Sequence, residues 1–133
     1  DYQQLQVIEA MTRQFALPIE IVGHDTVRAD DGLALSSRNG YLSAEERSEA
    51  VALQQVLHRL ADAARDPGRS LAQREAQAAA DLRQRGWAPD YLTLRRRSDL
   101  LPPDEFERCG GAPLVVLGAA RLGNTRLIDN LEL

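Results

Sequence analysis

The spacing of apolar residues near the start of the chain predicts a helix that leads into a strand. Apolar side chains recur at intervals of three, three and four between residues 2 and 16, at Leu5, Ile8, Met11 and Phe15. Pro18 ends this helix, and the β-branched run 19–22, closed by Gly23, predicts a short strand. A helix followed by a strand is half of a β-α-β unit, so we expect a preceding strand in a longer protein.

Residues 24–42 have the composition of a loop, and two helices are predicted after it. Ser43 and Glu46 have capping-box spacing and begin a helix that stops near 66–68. Its apolar stripe consists of Leu53, Leu57, Leu60 and Ala64. Ser70 begins an alanine-rich helix that ends around 84–86. Its predicted inner face consists of Leu71, Ala78 and Leu82.

The last third of the chain predicts a small antiparallel sheet. Residues 91–94 read as a strand, and 104–108 as a short helix. The almost wholly apolar run 114–120 is typical of a central buried strand. A Gly-Asn turn at 123–124 then returns the chain as a final strand over 125–130. The pattern therefore predicts an α/β beginning, a boundary in the loop 24–35, and a compact α+β unit after it.

Composition narrows the class of protein. At 133 residues and 14.7 kDa, the sequence has the size of one domain, or of one domain with part of another. A net charge of −4 argues against a nucleic-acid partner, and no apolar run approaches the roughly 18 residues of a membrane helix. All 16 basic residues are arginine, so this sequence contains no lysine for Schiff-base or P-loop chemistry. The one cysteine, Cys109, fits a reducing, cytoplasmic compartment.

The segment 32–39 carries the most informative chemistry. Ser36, Ser37 and Arg38 place two hydroxyls and a guanidinium in a loop flanked by glycine. Hydroxyls, exposed amides and a bidentate arginine all donate to phosphate oxygens, which suits a triphosphate. Ser-Ser-Arg-Asn is also ordinary turn composition, in which Asn39 or Ser43 simply caps a helix.

The remaining polar candidates have structural interpretations. We expect His24 to be a loop residue, His58 a surface residue, Asp30 and Asp31 a turn, and 95–97 a charged strand end. Trp87 and Tyr91 are predicted to pack in or at the rim of the core, and Cys109 to be a passive thiol. Asp129 and Asn130 are interpreted as structural, and no zinc-ligand spacing is present.

Seven blocks, in order along the chain, resemble the pantothenate synthetase (pantoate–β-alanine ligase) family. They are residues 1–4, 18–23, 26–28, 32–39, 41–43, 114–123 and 125–130. The resemblance implies an enzyme with a Rossmann-like nucleotidyltransferase domain and a smaller lid domain. Residues 1–30 would be the C-terminal remnant of the first domain with its linker, and 31–133 the lid domain carrying a KMSKS-like loop.

The resemblance also implies an activity and a set of site residues. Such enzymes use ATP with Mg²⁺ to convert pantoate to pantoyl adenylate, releasing pyrophosphate. The amine of β-alanine then displaces AMP to give pantothenate, a precursor of coenzyme A. The implied catalytic groups are Ser36, Ser37 and Arg38. The implied ATP contacts are Asp1, Val27, Leu35, Ser36, Ser37 and Arg38. Gln4 would bind pantoate, and no metal ligand is assigned.

The sequence departs from this family pattern because it begins at Asp1, in a predicted helix. The family's histidine motif, its first substrate glutamine and the lysine expected before Asp1 are not in this sequence. We therefore expect a C-terminal portion that lacks ligase activity by itself. Two alternatives stay open: a non-catalytic assembly module, and the lid of an adenylyltransferase for another carboxylic acid. The apolar residues of 1–23 also predict a homo-oligomer or a swapped segment.

Overall fold

A three-stranded antiparallel sheet organises the chain. The computed structural model describes residues 1–66, 68 and 70–133. The helices are α1 (Tyr2–Gln14), a 3-10 helix (Ser37–Tyr41), α2 (Ala44–Glu49), α3 (Ala52–Ala64), α4 (Leu71–Gln84) and α5 (Glu105–Cys109). The strands are β1 (Ala88–Arg96), β2 (Leu114–Leu122) and β3 (Thr125–Glu132), in the order β1-β2-β3.

The central strand is the one that the apolar run predicted. β2 pairs with β1 on one side and with β3 on the other, so its backbone groups are satisfied in both directions. Its side chains are buried from Leu114 to Ala120, which explains why the run lacks polar residues. Gly123 adopts a φ of +54° at the turn into β3, a conformation that glycine accepts without strain.

Helices α3 and α4 cover one face of the sheet and form the main core. Leu57, Leu82 and Leu94 are fully buried where α3, α4 and β1 meet. Each such leucine contributes about 2 kcal/mol of transfer free energy. The predicted stripe of α3 is buried as expected, and Trp87 packs into the same cluster. This core fixes the sheet on which the candidate site is built.

The other face of the sheet contacts the start of α1. Tyr2 is buried against Val115 and Leu117 of β2. Its hydroxyl accepts a hydrogen bond from Arg97 Nε at 3.2 Å, and Gln3 Nε2 donates to the hydroxyl of Tyr91 at 3.1 Å. The N-terminal turn of α1 is therefore docked on the sheet.

Local capping signals place most of the helix starts. The capping box at Ser43 and Glu46 is present, as predicted, and Ser70 and Asp104 begin α4 and α5 with the same arrangement. The prediction of a single helix after Ser43 is wrong in one respect: the structure has two helices, α2 and α3, separated by a break at 50–51. The predicted stop at 66–68 falls partly on Pro67, which lies outside the described residues, and α3 ends at Ala64.

The strand predicted at 19–22 is wrong. These residues have no regular secondary structure, and the apolar side chains of Ile19 and Val22 are exposed. A strand requires a neighbour for its backbone groups, and among the described residues no strand pairs with this run. Strand β1 is longer than predicted, since it runs from Ala88 to Arg96. It includes Pro89, beside which its pairing with β2 shifts register.

Candidate functional site

The loop between α1 and α2 contains a small two-stranded turn. Arg28 forms an isolated antiparallel bridge with Ala34. Ala29 N–H donates to the Leu33 carbonyl, and Leu35 N–H donates to the Val27 carbonyl, both at 2.9 Å. This turn delivers the chain directly to Ser36 at the start of the 3-10 helix.

The Ser36–Arg38 segment combines a structural cap with accessible donors. Ser36 Oγ accepts a hydrogen bond from Arg38 N–H at 3.2 Å and so caps the 3-10 helix. The hydroxyl proton of Ser36 remains available because only an acceptor lone pair is used. Ser36, Ser37 and Arg38 are all exposed. Within the described ranges, the Arg38 guanidinium makes no hydrogen bond or ion pair.

A cleft of about 210 Å³ opens beside this segment. One wall is the run 33–39 apart from Ser37, and the opposite wall is 126–130 of β3. Asp1, which caps α1, and the first two residues of that helix, Tyr2 and Gln3, also line the cleft, as do Thr26, Ala50 and Leu53. Four of the sequence-implied ATP contacts therefore share one cavity: Asp1, Leu35, Ser36 and Arg38.

Three other sequence-implied residues lie outside this lining. Val27 is exposed on the two-stranded turn, and Ser37 is exposed without forming part of the cavity walls. Gln4 is exposed on α1, one turn along from Asp1. The Asp1 carboxylate accepts the backbone N–H of Gln4 at 3.2 Å, so it caps α1 as well as lining the cleft.

The charge distribution at the cleft suits an anion. Arg126 lines the wall opposite Arg38, and its Nε donates to Asp90 at 2.6 Å. This hydrogen bond raises the pKa of Arg126 further above its usual value, which keeps the guanidinium charged. The Asp129 carboxylate at the same wall is bonded by Arg28 and brings little free negative charge. Arg126 and Asp129 therefore line the cleft as members of ion pairs, and Arg38 is the cation of this lining that no acidic side chain of the described residues neutralises.

Sequence reasoning missed several lining residues. Arg126, Asp129 and Asn130 belong to a block that was interpreted only as a closing strand. Asn39 was treated as a cap, whereas its Nδ2 donates to the Ala34 carbonyl at 3.0 Å across the loop. Its Oδ1 is buried, and no partner for it is found in the described part of the chain.

The other polar candidates lie outside the lining of the cleft, on the surface or in hydrogen bonds and ion pairs. His24 and His58 are exposed, and Asp31 pairs with Arg47 at 2.7 Å. Trp87 is buried and donates to Glu49, and each arginine of 95–97 has an acidic partner. Cys109 is exposed. Among the residues that the structure describes, no three His, Cys, Asp or Glu side chains are grouped to hold a metal ion, and no helix has the length and hydropathy to span a bilayer.

Comparison with known proteins identifies the family. The sequence model described as Pantoate-beta-alanine ligase matches residues 1–132. The chain therefore belongs to the pantoate–β-alanine ligase family, as the ordered sequence blocks indicated. A curated relative, the pantothenate synthetase of Leptothrix cholodnii, is 62% identical over 132 residues, which cover 99% of this chain and 46% of that protein. The chain thus spans about half the length of this relative.

Solved structures show the same fold. A pantothenate synthetase structure from Thermus thermophilus superimposes with a TM-score of 0.83 at 39% identity, covering 98% of this chain and 46% of that one. A second structure from that organism gives a TM-score of 0.79 at 42% identity, with the same coverage. A pantoate-beta-alanine ligase from Francisella tularensis, at 21% identity and a TM-score of 0.55, shares the fold over 98% of this chain and 40% of its own. The predicted α/β class is confirmed.

Proposed function

We propose that this chain is the lid-bearing C-terminal portion of an ATP-dependent ligase that condenses pantoate and β-alanine to pantothenate. The reaction passes through pantoyl adenylate and releases pyrophosphate and then AMP. Residues 1–30 belong to the Rossmann-like nucleotide domain and its linker, and 31–133 form the lid. Family membership supports this proposal, as does the description of the Francisella tularensis structure as a complex with beta-gamma ATP and beta-alanine.

The observation that carries the proposal is the accessible donor set at the cleft. Ser36 and Arg38 line the same cavity as Asp1, and the Arg38 guanidinium is unpaired among the described residues. In adenylyl transfer, negative charge develops on the departing pyrophosphate. Positioned hydroxyl and guanidinium donors stabilise that charge more in the transition state than in the ground state. Ser36, Ser37 and Arg38 take this role.

The remaining site residues bind the substrates. Asp1, Val27 and Leu35 contact ATP, which enters with its Mg²⁺ counter-ion, and Gln4 binds pantoate. The cleft of about 210 Å³ is smaller than the roughly 300–1,000 Å³ of a complete ligand pocket. This chain therefore holds part of the nucleotide, and we expect it to be inactive by itself. A pantothenate-forming assay with ATP and both substrates tests this, since turnover above background contradicts it.

Calorimetric titration with Mg·ATP tests the nucleotide site. We expect weak binding that Arg38→Ala reduces by about tenfold, the loss of one charge-assisted contact. Arg59→Ala is the matched control because Arg59 is an exposed arginine on α3, outside the cleft. Equal losses in the two variants would show non-specific charge attraction. Absence of wild-type binding would reject a nucleotide site in this chain.

A specific observation also favours a second function, self-association. Val7 and Met11 of α1 and Phe15, the residue that caps its C-terminus, are exposed at intervals of four. Such an apolar stripe on a protein surface marks a protein contact. We propose a homo-oligomer through this face, which is compatible with the ligase function and also describes a purely architectural module.

A further inference from the structure

We propose that Arg28 is a positioning residue that sets the separation between the two walls of the candidate ATP cleft. Arg28 does not line the cleft itself. It lies on the two-stranded turn of residues 27–35, which runs beside the outer edge of β3. The inference rests on the proposed nucleotide site, and it adds a residue that acts on that site through its neighbours.

The two terminal nitrogens of the Arg28 guanidinium are fully used. Nη1 donates to the Gly32 carbonyl at 3.0 Å and to Asp129 Oδ2 at 2.9 Å. Nη2 donates to Asp129 Oδ1 at 2.9 Å and to the Asn130 carbonyl at 3.1 Å. The planar fork fixes all four bonds in one geometry, which lysine cannot reproduce because its ammonium is a point charge on a flexible stem.

These bonds connect the two sides of the cavity. Gly32 directly precedes the wall formed by 33–39, and Asp129 and Asn130 belong to the opposite wall. A single rigid group therefore joins the loop that carries Ser36 and Arg38 to the strand that faces it. A change in the Arg28 bonds moves the donors relative to β3, and displacements of about 1 Å are enough to weaken a positioned contact strongly.

Burial makes the connection stiff. The Asp129 side chain is 4% exposed and that of Arg28 is 24% exposed. Asp129 Oδ1 also accepts the N–H of Asn130 at 2.8 Å, which holds the carboxylate in place. In such surroundings an unpaired carboxylate is costly, so the pair resists opening.

Another arginine of this chain provides a matched control. Arg85 forms a two-bond pair with Glu49 at 2.7 and 2.8 Å between α2 and the end of α4. Neither residue lines the cleft. Arg28→Lys and Arg85→Lys each remove a bidentate arginine–carboxylate pair while keeping the charge. A role limited to stability leaves the dissociation constant for Mg·ATP unchanged in both variants, whereas positioning raises it in Arg28→Lys alone.

The experiment measures two quantities on the 133-residue chain. Amide hydrogen exchange over residues 33–39 reports the mobility of the loop wall, and calorimetry reports the dissociation constant for Mg·ATP. For Arg28→Lys we expect loop exchange and the dissociation constant each to rise by about fivefold or more, while Arg85→Lys stays within about twofold. Asp129→Asn, matched by Glu49→Gln, repeats the comparison from the acidic side if Arg28→Lys does not fold.

The outcomes separate this inference from the proposed function. Equal loop exchange in the Arg28 and Arg85 variants overturns the positioning role, whether or not ATP binds. Raised loop exchange with an unchanged ATP dissociation constant also overturns it, because the walls then do not govern binding. If the wild-type chain binds no ATP while loop exchange still rises, the nucleotide function fails and Arg28 is left as the residue that positions the loop.

Discussion

Gly118 of β2 lies directly under Leu57 of α3, so close that a Cβ at position 118 would stand 2.8 Å from Leu57 Cδ2. The same Cβ would stand 3.0 Å from Cδ2 of Leu92 on the neighbouring strand. Distances this short are not tolerated between carbon atoms in a packed core. The missing side chain is therefore what lets α3 rest on the sheet.

We expect Gly118→Ala to destabilise the chain by about 1–3 kcal/mol, since the added methyl overpacks the core. Gly40→Ala is the control, because a Cβ there meets no atom within 4 Å, and its effect stays within about 0.5 kcal/mol. Urea unfolding followed by the fluorescence of Trp87, the single and buried tryptophan, measures both. Equal unfolding midpoints for the two variants would show that α3 shifts without cost.

The C-terminus of α1 contains a left-handed alanine that glycine would suit better. Ala16 has a φ of +50°, with Ala16 N–H bonded to the Arg13 carbonyl and Leu17 N–H to the Thr12 carbonyl. This pattern is the Schellman motif, in which glycine normally occupies the position of Ala16. The left-handed conformation costs alanine about 1–2 kcal/mol, and glycine loses about 0.4–1 kcal/mol through its freer unfolded state.

Ala16→Gly is therefore expected to stabilise the end of α1 by about 0.5–1 kcal/mol. Slower amide exchange in the last turn of α1 measures this gain. Ala76→Gly, at an exposed position inside α4, is expected to have the opposite sign and to cost about 1 kcal/mol. Faster exchange in α1 of Ala16→Gly would contradict the assignment of strain to this residue.

The parts of the fold that the sequence predicted depend on neighbours in the chain. A capping box is decided within four residues, so Ser43, Ser70 and Asp104 mark helix starts without knowledge of the rest. β2 was predictable for a similar reason, since a buried central strand carries an uninterrupted apolar run. The accessibility of Ser36 and Arg38 also agrees with a glycine-flanked loop.

The parts that could not be predicted depend on distant partners. Residues 19–22 have strand composition, but only a neighbouring strand makes a strand of them. Arg28 and Asp129 are 101 positions apart, and nothing in either local sequence indicates that they meet. The same limit hid Asn130 and Arg126 as cleft residues, because the loop and β3 become opposite walls only after the sheet has formed.

The pair of Glu49 and Arg85 is expected to make stability depend on acidic pH. The Arg85 hydrogen bonds, helped by the Trp87 indole N–H, hold the pKa of Glu49 below its usual 4.5. The unfolded chain therefore takes up a proton near pH 4.5, while the folded chain does so only at lower pH. The stabilisation is complete above pH 4.5 and is lost as the pH falls through the lower, folded-state pKa.

Comparison of wild type with Glu49→Gln measures this contribution. Near pH 7 we expect the wild type to be more stable by about 1 kcal/mol, a modest value because the Arg85 side chain is partly solvated. Urea unfolding at a series of pH values is expected to show the gap closing below pH 4.5. Glu105→Gln, at an exposed position in α5, serves as the control. A gap that stays constant across this range would contradict the assignment to Glu49.

The apolar stripe of α1 is expected to make the chain self-associate. Val7, Met11 and Phe15 are exposed on one face, and their contact with a second chain would remove this surface from water. We expect the mean mass measured by light scattering to rise with concentration. Met11→Glu places a charge at the centre of the stripe and should lower that mass toward the monomer. Phe106→Glu should leave it unchanged, because Phe106 is an exposed apolar residue of α5 and does not belong to the stripe. A wild-type mass equal to one chain at every concentration would reject association through α1.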